Sequence, residues 1–93
     1  MLLLQNTEEL DDHVLAAITL KEQGNNLLSN GDYGLAALKY TDAIELHPTA
    51  ILLSNRSQAL IKLESFALAI EDATAALRLA NNHHFSSRDG TFG

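Results

Sequence analysis

Apolar and small residues recur along this chain with a helical period, and the breaks between them fall at recognisable stop and start signals. Residues 18–30 have that periodicity and end at Asn30-Gly31, a pair suited to closing a helix with a left-handed residue. Asp32 follows as a candidate N-cap for a second helix reaching about residue 47, where Pro48 prevents continuation. Thr49 is placed to cap a third helix over 50–63. Glu64-Ser65 makes the next turn, and Ser65 can cap a fourth helix over 66–80. Upstream, residues 7–20 run without a break into the first helix. Asn6 and Glu9 have capping-box spacing, and Glu8, Glu9, Asp11 and Asp12 suit a helix N-terminus, so the pattern predicts an extended first helix from about Thr7.

The four segments form two copies of one unit. Displaced by 33 residues, the chain matches itself: Tyr33 falls on Phe66, Leu35 on Leu68, Ala36 on Ala69, Ala43 on Ala76, Ile44 on Leu77 and Leu46 on Leu79. Each unit reads helix, short turn, helix. Ala36 and Ala43 lie seven apart, nearly two turns, on one face of the second helix, and Ala69 and Ala76 repeat this on the fourth. Small side chains there let antiparallel helices approach, with Tyr33, Tyr40 and Phe66 filling the gaps beside them. A charge at Ala36 or Ala69 is expected to be severely destabilising.

The run Gly24…Gly31-Asp32-Tyr33…Ala36…Tyr40…Ala43…Pro48 resembles the complete tetratricopeptide-repeat (TPR) signature, and the second unit keeps Ser57, Leu60, Phe66, Ala69 and Ala76 without the closing proline. The resemblance implies an all-α fold of two tandem helix-turn-helix repeats, at about 17–48 and 49–80, wound as a short right-handed α-solenoid. Residues 1–16 would extend the first helix, and 81–93 would be a flexible tail. In such repeats the first helices line a concave groove. Lys21 and Asn25 share a face of one such helix, and Asn55 and Lys62 share a face of the other. Ammonium groups and amide N–H donors on neighbouring faces make a receptor for a carboxylate.

This set resembles the carboxylate clamp of chaperone-adaptor TPR domains, as in the small two-repeat adaptors and protein phosphatase five. It implies recognition of the C-terminal Glu-Glu-Val-Asp (EEVD) of the seventy- and ninety-kilodalton heat-shock chaperones by Lys21, Asn25, Asn55 and Lys62. Leu28, Gln58 and Ile61 would then line the peptide groove. The full clamp also takes basic residues from a third repeat or a following helix. Neither is evident here, and after Ala80 Arg88 is the one Lys or Arg left.

No closing helix is evident after residue 80, although each repeat must bury its face on the next. The faces of Leu60, Leu63 and Leu77 are therefore expected to be partly exposed. Truncation from a longer protein, self-association, or a tail folded back through Phe85 and Phe92 would each answer this. The alternative to EEVD binding is a general TPR scaffold, or a fragment of a larger TPR protein such as the regulatory part of a phosphatase or prolyl isomerase.

Composition narrows the chemistry further. Net charge is −6 with no basic run, which disfavours nucleic acid and membrane-surface partners. Without cysteine there is neither a disulfide framework nor a thiolate metal site. His83-His84 point apart on any regular backbone and lack a third ligand at suitable spacing, and His47 suits a helix end. Glu71-Asp72 reads as a solvated helix face. There is no nucleophile–base pair, phosphate loop or cofactor motif, and the reading is of a cytoplasmic binding protein rather than an enzyme.

Overall fold

A computed structural model describes residues 11–92, with side chains through Asn82. Four helices follow one another: α1 (Asp12–Ser29), α2 (Tyr33–Leu46), α3 (Ala50–Lys62) and α4 (Phe66–Phe92). Each packs on the next, and α1 also touches α3, as in stacked helical hairpins.

The starts of the helices obey local chemistry. The Asp11 carboxylate accepts from the Val14 backbone N–H at 2.9 Å and Asp11 itself is extended, which sets the start of α1. The predicted helix through Asp11 from Thr7 is thus corrected at Asp11. Thr7, Asn6 and Glu9 lie outside the described residues. Thr49 caps α3 as predicted, its hydroxyl accepting from the Leu52 N–H at 3.1 Å. Asp32 stands at the start of α2, but its side chain makes no cap bond; only its carbonyl accepts, from Ala36 N–H.

Two turns have the same build. After α1, the Asp32 N–H donates to the Leu27 carbonyl (2.8 Å) and the Gly31 N–H to the Leu28 carbonyl (3.1 Å). After α3, the Ser65 N–H donates to the Leu60 carbonyl (2.8 Å) and the Glu64 N–H to the Ile61 carbonyl (2.9 Å). Both are Schellman closures, which need a left-handed residue. Gly31 supplies φ of 87°, and Glu64 supplies 62° despite its side chain.

The fourth helix is longer than the pattern predicts. Its backbone remains helical to Phe92 rather than stopping at Ala80. Asn, His and Ser cost at most ~0.7 kcal/mol each in a helix and Gly90 about 1, and no proline follows Pro48 to forbid the continuation. The segment expected as a flexible tail is therefore helical backbone as far as Phe92. The side chains of His83, His84, Phe85 and Arg88 lie outside the described ones.

The core sits in the first repeat and its junction with α3. Ala17, Ala36, Tyr40, Ala43, Leu52 and Ala59 are buried together, with Leu20, Leu27, Leu28, Ala37 and Ile44 packed around them. The predicted small-residue stripe is buried in both repeats, at Ala36, Ala43, Ala69 and Ala76. The aromatic residues divide. Tyr40 is fully buried and Tyr33 half-buried, but Phe66 is 56% exposed. Phe66 fills no gap because no described segment lies over it.

Candidate functional site

The geometry begins with a glycine. A Cβ built at Gly24 would stand 2.6 Å from Cε1 and 2.8 Å from Cδ1 of Tyr40. Gly in a helix interior costs about 1 kcal/mol relative to Ala, and here it opens the slot in which the Tyr40 ring lies. The ring crosses from α2 toward α1, and its hydroxyl donates to Asn25 Oδ1 at 2.6 Å. The same oxygen accepts from Asn55 Nδ2 of α3 at 3.2 Å. One amide oxygen on α1 thus gathers donors from α2 and α3. Burial holds the Tyr40 phenol above its ordinary pKa, so it keeps its proton at neutral pH.

Asn25 and Asn55, predicted to be neighbours across two repeats, are therefore in direct contact. Lys21 is partly buried one turn before Asn25 on α1. Lys62 is exposed in the last turn of α3, where its charge also suits the helix dipole. Leu28 is half-buried against the core and serves packing at least as much as a groove. Gln58 is exposed. Ile61 lies with Ser57, Phe66, Ala69, Ile70 and Ala73 along a groove between α3 and α4. A second groove between those helices, of about 410 Å³, runs past Ile51, Asn55, Ala76 and Leu77. Along these grooves Ile51, Phe66, Ile70 and Leu77 form the open face of the second repeat. Leu60 lies elsewhere, beside Arg56 and Leu68 at the junction of α2, α3 and α4.

That junction corrects the reading of Asp72 as solvated. Asp72 is 7% exposed and takes both arms of Arg56, Nε to Oδ2 at 2.7 Å and Nη2 to Oδ1 at 2.8 Å. Arg56 Nη1 also donates to Thr41 Oγ1 (3.1 Å), whose hydroxyl donates to the Ala37 carbonyl (2.8 Å). The Asp72 bond raises the Arg56 pKa against the opposing effect of burial. A bidentate pair of this kind is positional, and it ties three helices together. In the second repeat the buried Ser57 hydroxyl donates to the Ala69 carbonyl of α4 at 2.8 Å.

The sequence pattern missed two of these roles. The Tyr40 position announces a ring but not the use of its hydroxyl. The partner of Asp72 lies sixteen residues away on another helix. Among the described residues no cluster of three or more His, Asp or Glu could hold a metal ion, and no helix is long and apolar enough to cross a membrane.

No protein-family model matches the chain. Individual proteins do. Small glutamine-rich tetratricopeptide repeat-containing protein 2 of Saccharomyces cerevisiae is 44% identical over 61 residues, covering 64% of this chain and 18% of that protein. The chain resembles tetratricopeptide-repeat proteins. Serine/threonine-protein phosphatase T of Aspergillus oryzae is 45% identical over 65 residues, 69% of the chain and 14% of that protein. Stress-induced-phosphoprotein 1 of Caenorhabditis elegans is 34% identical over 89 residues, 83% of the chain and 28% of that protein. The chain thus spans less than a third of the length of these relatives.

Proposed function

We propose that this TPR segment binds the acidic C-terminal peptide of a partner protein, of the EEVD type carried by heat-shock chaperones, through Lys21, Asn25, Asn55 and Lys62. The observation that carries the reading is the Asn25–Asn55 contact: the first helices of two repeats meet at a pair of amides, with Lys21 one turn away. Amide N–H groups and an ammonium complement a group that only accepts hydrogen bonds. Charge-assisted bonds of ~1.5–3 kcal/mol each would sum to micromolar affinity, about −8 kcal/mol, without a deep pocket. A cytoplasmic location and a binding rather than catalytic role follow from this reading.

The test is calorimetric titration with Met-Glu-Glu-Val-Asp against the same peptide amidated at its C-terminus. The free acid is expected to bind in the micromolar range and the amide at least about tenfold more weakly, with salt weakening the acid. Lys21→Ala and Asn55→Ala should each cost several-fold. Absent binding, or equal binding of acid and amide, removes the clamp.

A second reading rests on a different observation. On the open face of the second repeat, Ile51, Phe66, Ile70 and Leu77 are all more than half exposed. That face suits another helix, supplied by a further repeat or by a second copy of the chain. Sedimentation showing a monomer at high concentration removes self-association, and loss of association in Ile70→Glu supports it.

A further inference from the structure

We infer that Tyr40 is a positioning residue that locks the polarity of the Asn25 amide, and so makes the site selective for a carboxylate over a carboxamide. The inference rests on the clamp reading above for its ligand, but its structural part stands alone.

An asparagine side chain has two orientations, oxygen and nitrogen exchanged, and little separates them at an exposed position. Asn25 is exposed, so the choice must come from its partners. Tyr40 is 0% exposed, and its hydroxyl proton needs an acceptor. A buried donor left without one costs about as much as the desolvation of that group. Asn25 Oδ1, 2.6 Å away, is that acceptor, and among the described residues no buried side-chain polar atom lacks a partner. With the oxygen held inward, Asn55 Nδ2 completes the arrangement by donating to the same atom.

Both N–H bonds of Asn25 are then left for a ligand, together with the remaining N–H of Asn55. Reversing the amide would spend an Asn25 N–H on the Tyr40 oxygen and set the Asn25 and Asn55 N–H groups against each other. It would strand the hydroxyl proton and turn an oxygen toward the ligand. That oxygen repels a carboxylate but accepts from a carboxamide. Gly24 enters for the same reason: any side chain there would displace the ring that carries the hydroxyl. Two residues of ordinary packing appearance thus act in series on Asn25, Gly24 admitting the Tyr40 ring, the ring placing its hydroxyl, and the hydroxyl setting the amide.

Tyr40→Phe isolates the last link, since the ring stays in its slot and circular dichroism should show an intact helical fold. Two readouts are paired. The first is nuclear Overhauser contact between the Asn25 Nδ2 protons and the Tyr40 ring in the unliganded wild-type protein. It should be absent, with the Asn25 Nδ2 protons exchanging with water; strong contacts to the ring overturn the inference whatever the peptide does. The second is titration of wild type and Tyr40→Phe with Met-Glu-Glu-Val-Asp and its amide. In the variant, affinity for the acid should fall about fivefold, the worth of one hydrogen bond, and the acid-to-amide preference should shrink by a similar factor. An unchanged preference overturns the inference. If the wild type binds neither peptide, the clamp reading falls, and the ring contacts still decide the polarity.

Discussion

The two repeats are the same device at different degrees of completion. At every thirty-third residue they can be compared side by side. Gly24 corresponds to Ser57 and Tyr40 to Ala73, so the first repeat holds a ring in a slot while the second has a hydroxyl bonded to a carbonyl and no ring. Gly31 corresponds to Glu64, and both turns adopt the left-handed conformation. Ala36 and Ala69 are both buried, yet the residues around Ala69 lie open, because α3 covers the first repeat and no described element covers the second. A repeat is therefore finished by its neighbour, and its own sequence specifies only half of its core.

The sharpest way to break the comparison is to remove one aromatic from each repeat. Tyr40→Ala should cost about 3–5 kcal/mol in urea denaturation, enough to unfold a domain of this size. Phe66→Ala, on the open face, should stay within about 1 kcal/mol. Similar losses would mean that the second repeat is as fully packed as the first. Next is Arg56→Ala, which leaves the Asp72 carboxylate buried without its partner, and a loss of about 3 kcal/mol is expected. A smaller loss would show that water reaches Asp72.

Gly24→Ala comes third. Helix propensity favours Ala by about 1 kcal/mol, but the clash with the ring should outweigh it and leave a net loss of about 1–2 kcal/mol. Ser57→Ala, at the corresponding site, loses only a hydroxyl bond, about 1 kcal/mol. The smallest effect is a gain. Glu64→Gly relieves a left-handed non-glycine residue and should stabilise the protein by about 1 kcal/mol, whereas Gly31→Ala should destabilise it by a similar amount. A loss on Glu64→Gly would mean that entropy in the unfolded chain outweighs the strain relieved.

The same comparison explains what could be read from the residues. The helix boundaries at Asn30-Gly31, Pro48 and Thr49 were legible because each depends on a local cap or a steric prohibition. The small-residue stripes were legible because their spacing repeats. Asn25 and Asn55 could be placed together because both stand on groove-lining helices. What could not be read depended on residues distant in sequence. Asp72 resembles any exposed acid until Arg56 reaches it from α3. Phe66 matches Tyr33 in the pattern but lacks the covering helix. The start of α1 was placed near Thr7 on an acid-rich segment, and the geometry puts it after Asp11, whose carboxylate makes the cap. Glu64 was legible as part of a turn but not as its left-handed residue, since only the two Schellman bonds hold it there.

The chain of bonds from Asp72 through Arg56 and Thr41 to the Ala37 carbonyl has a consequence for how the molecule opens. A stack of repeats joined only by apolar contact can fray one hairpin at a time. Here a single guanidinium is shared by α2, α3 and α4: parting α3 from α4 strands the buried Asp72 carboxylate, and losing α2 takes the Thr41 hydroxyl from the same guanidinium. Amide hydrogens in the middles of these helices should accordingly exchange through one common opening, while the first turn of α1 exchanges ahead of them. The joint between the repeats is where the two units become one cooperative body.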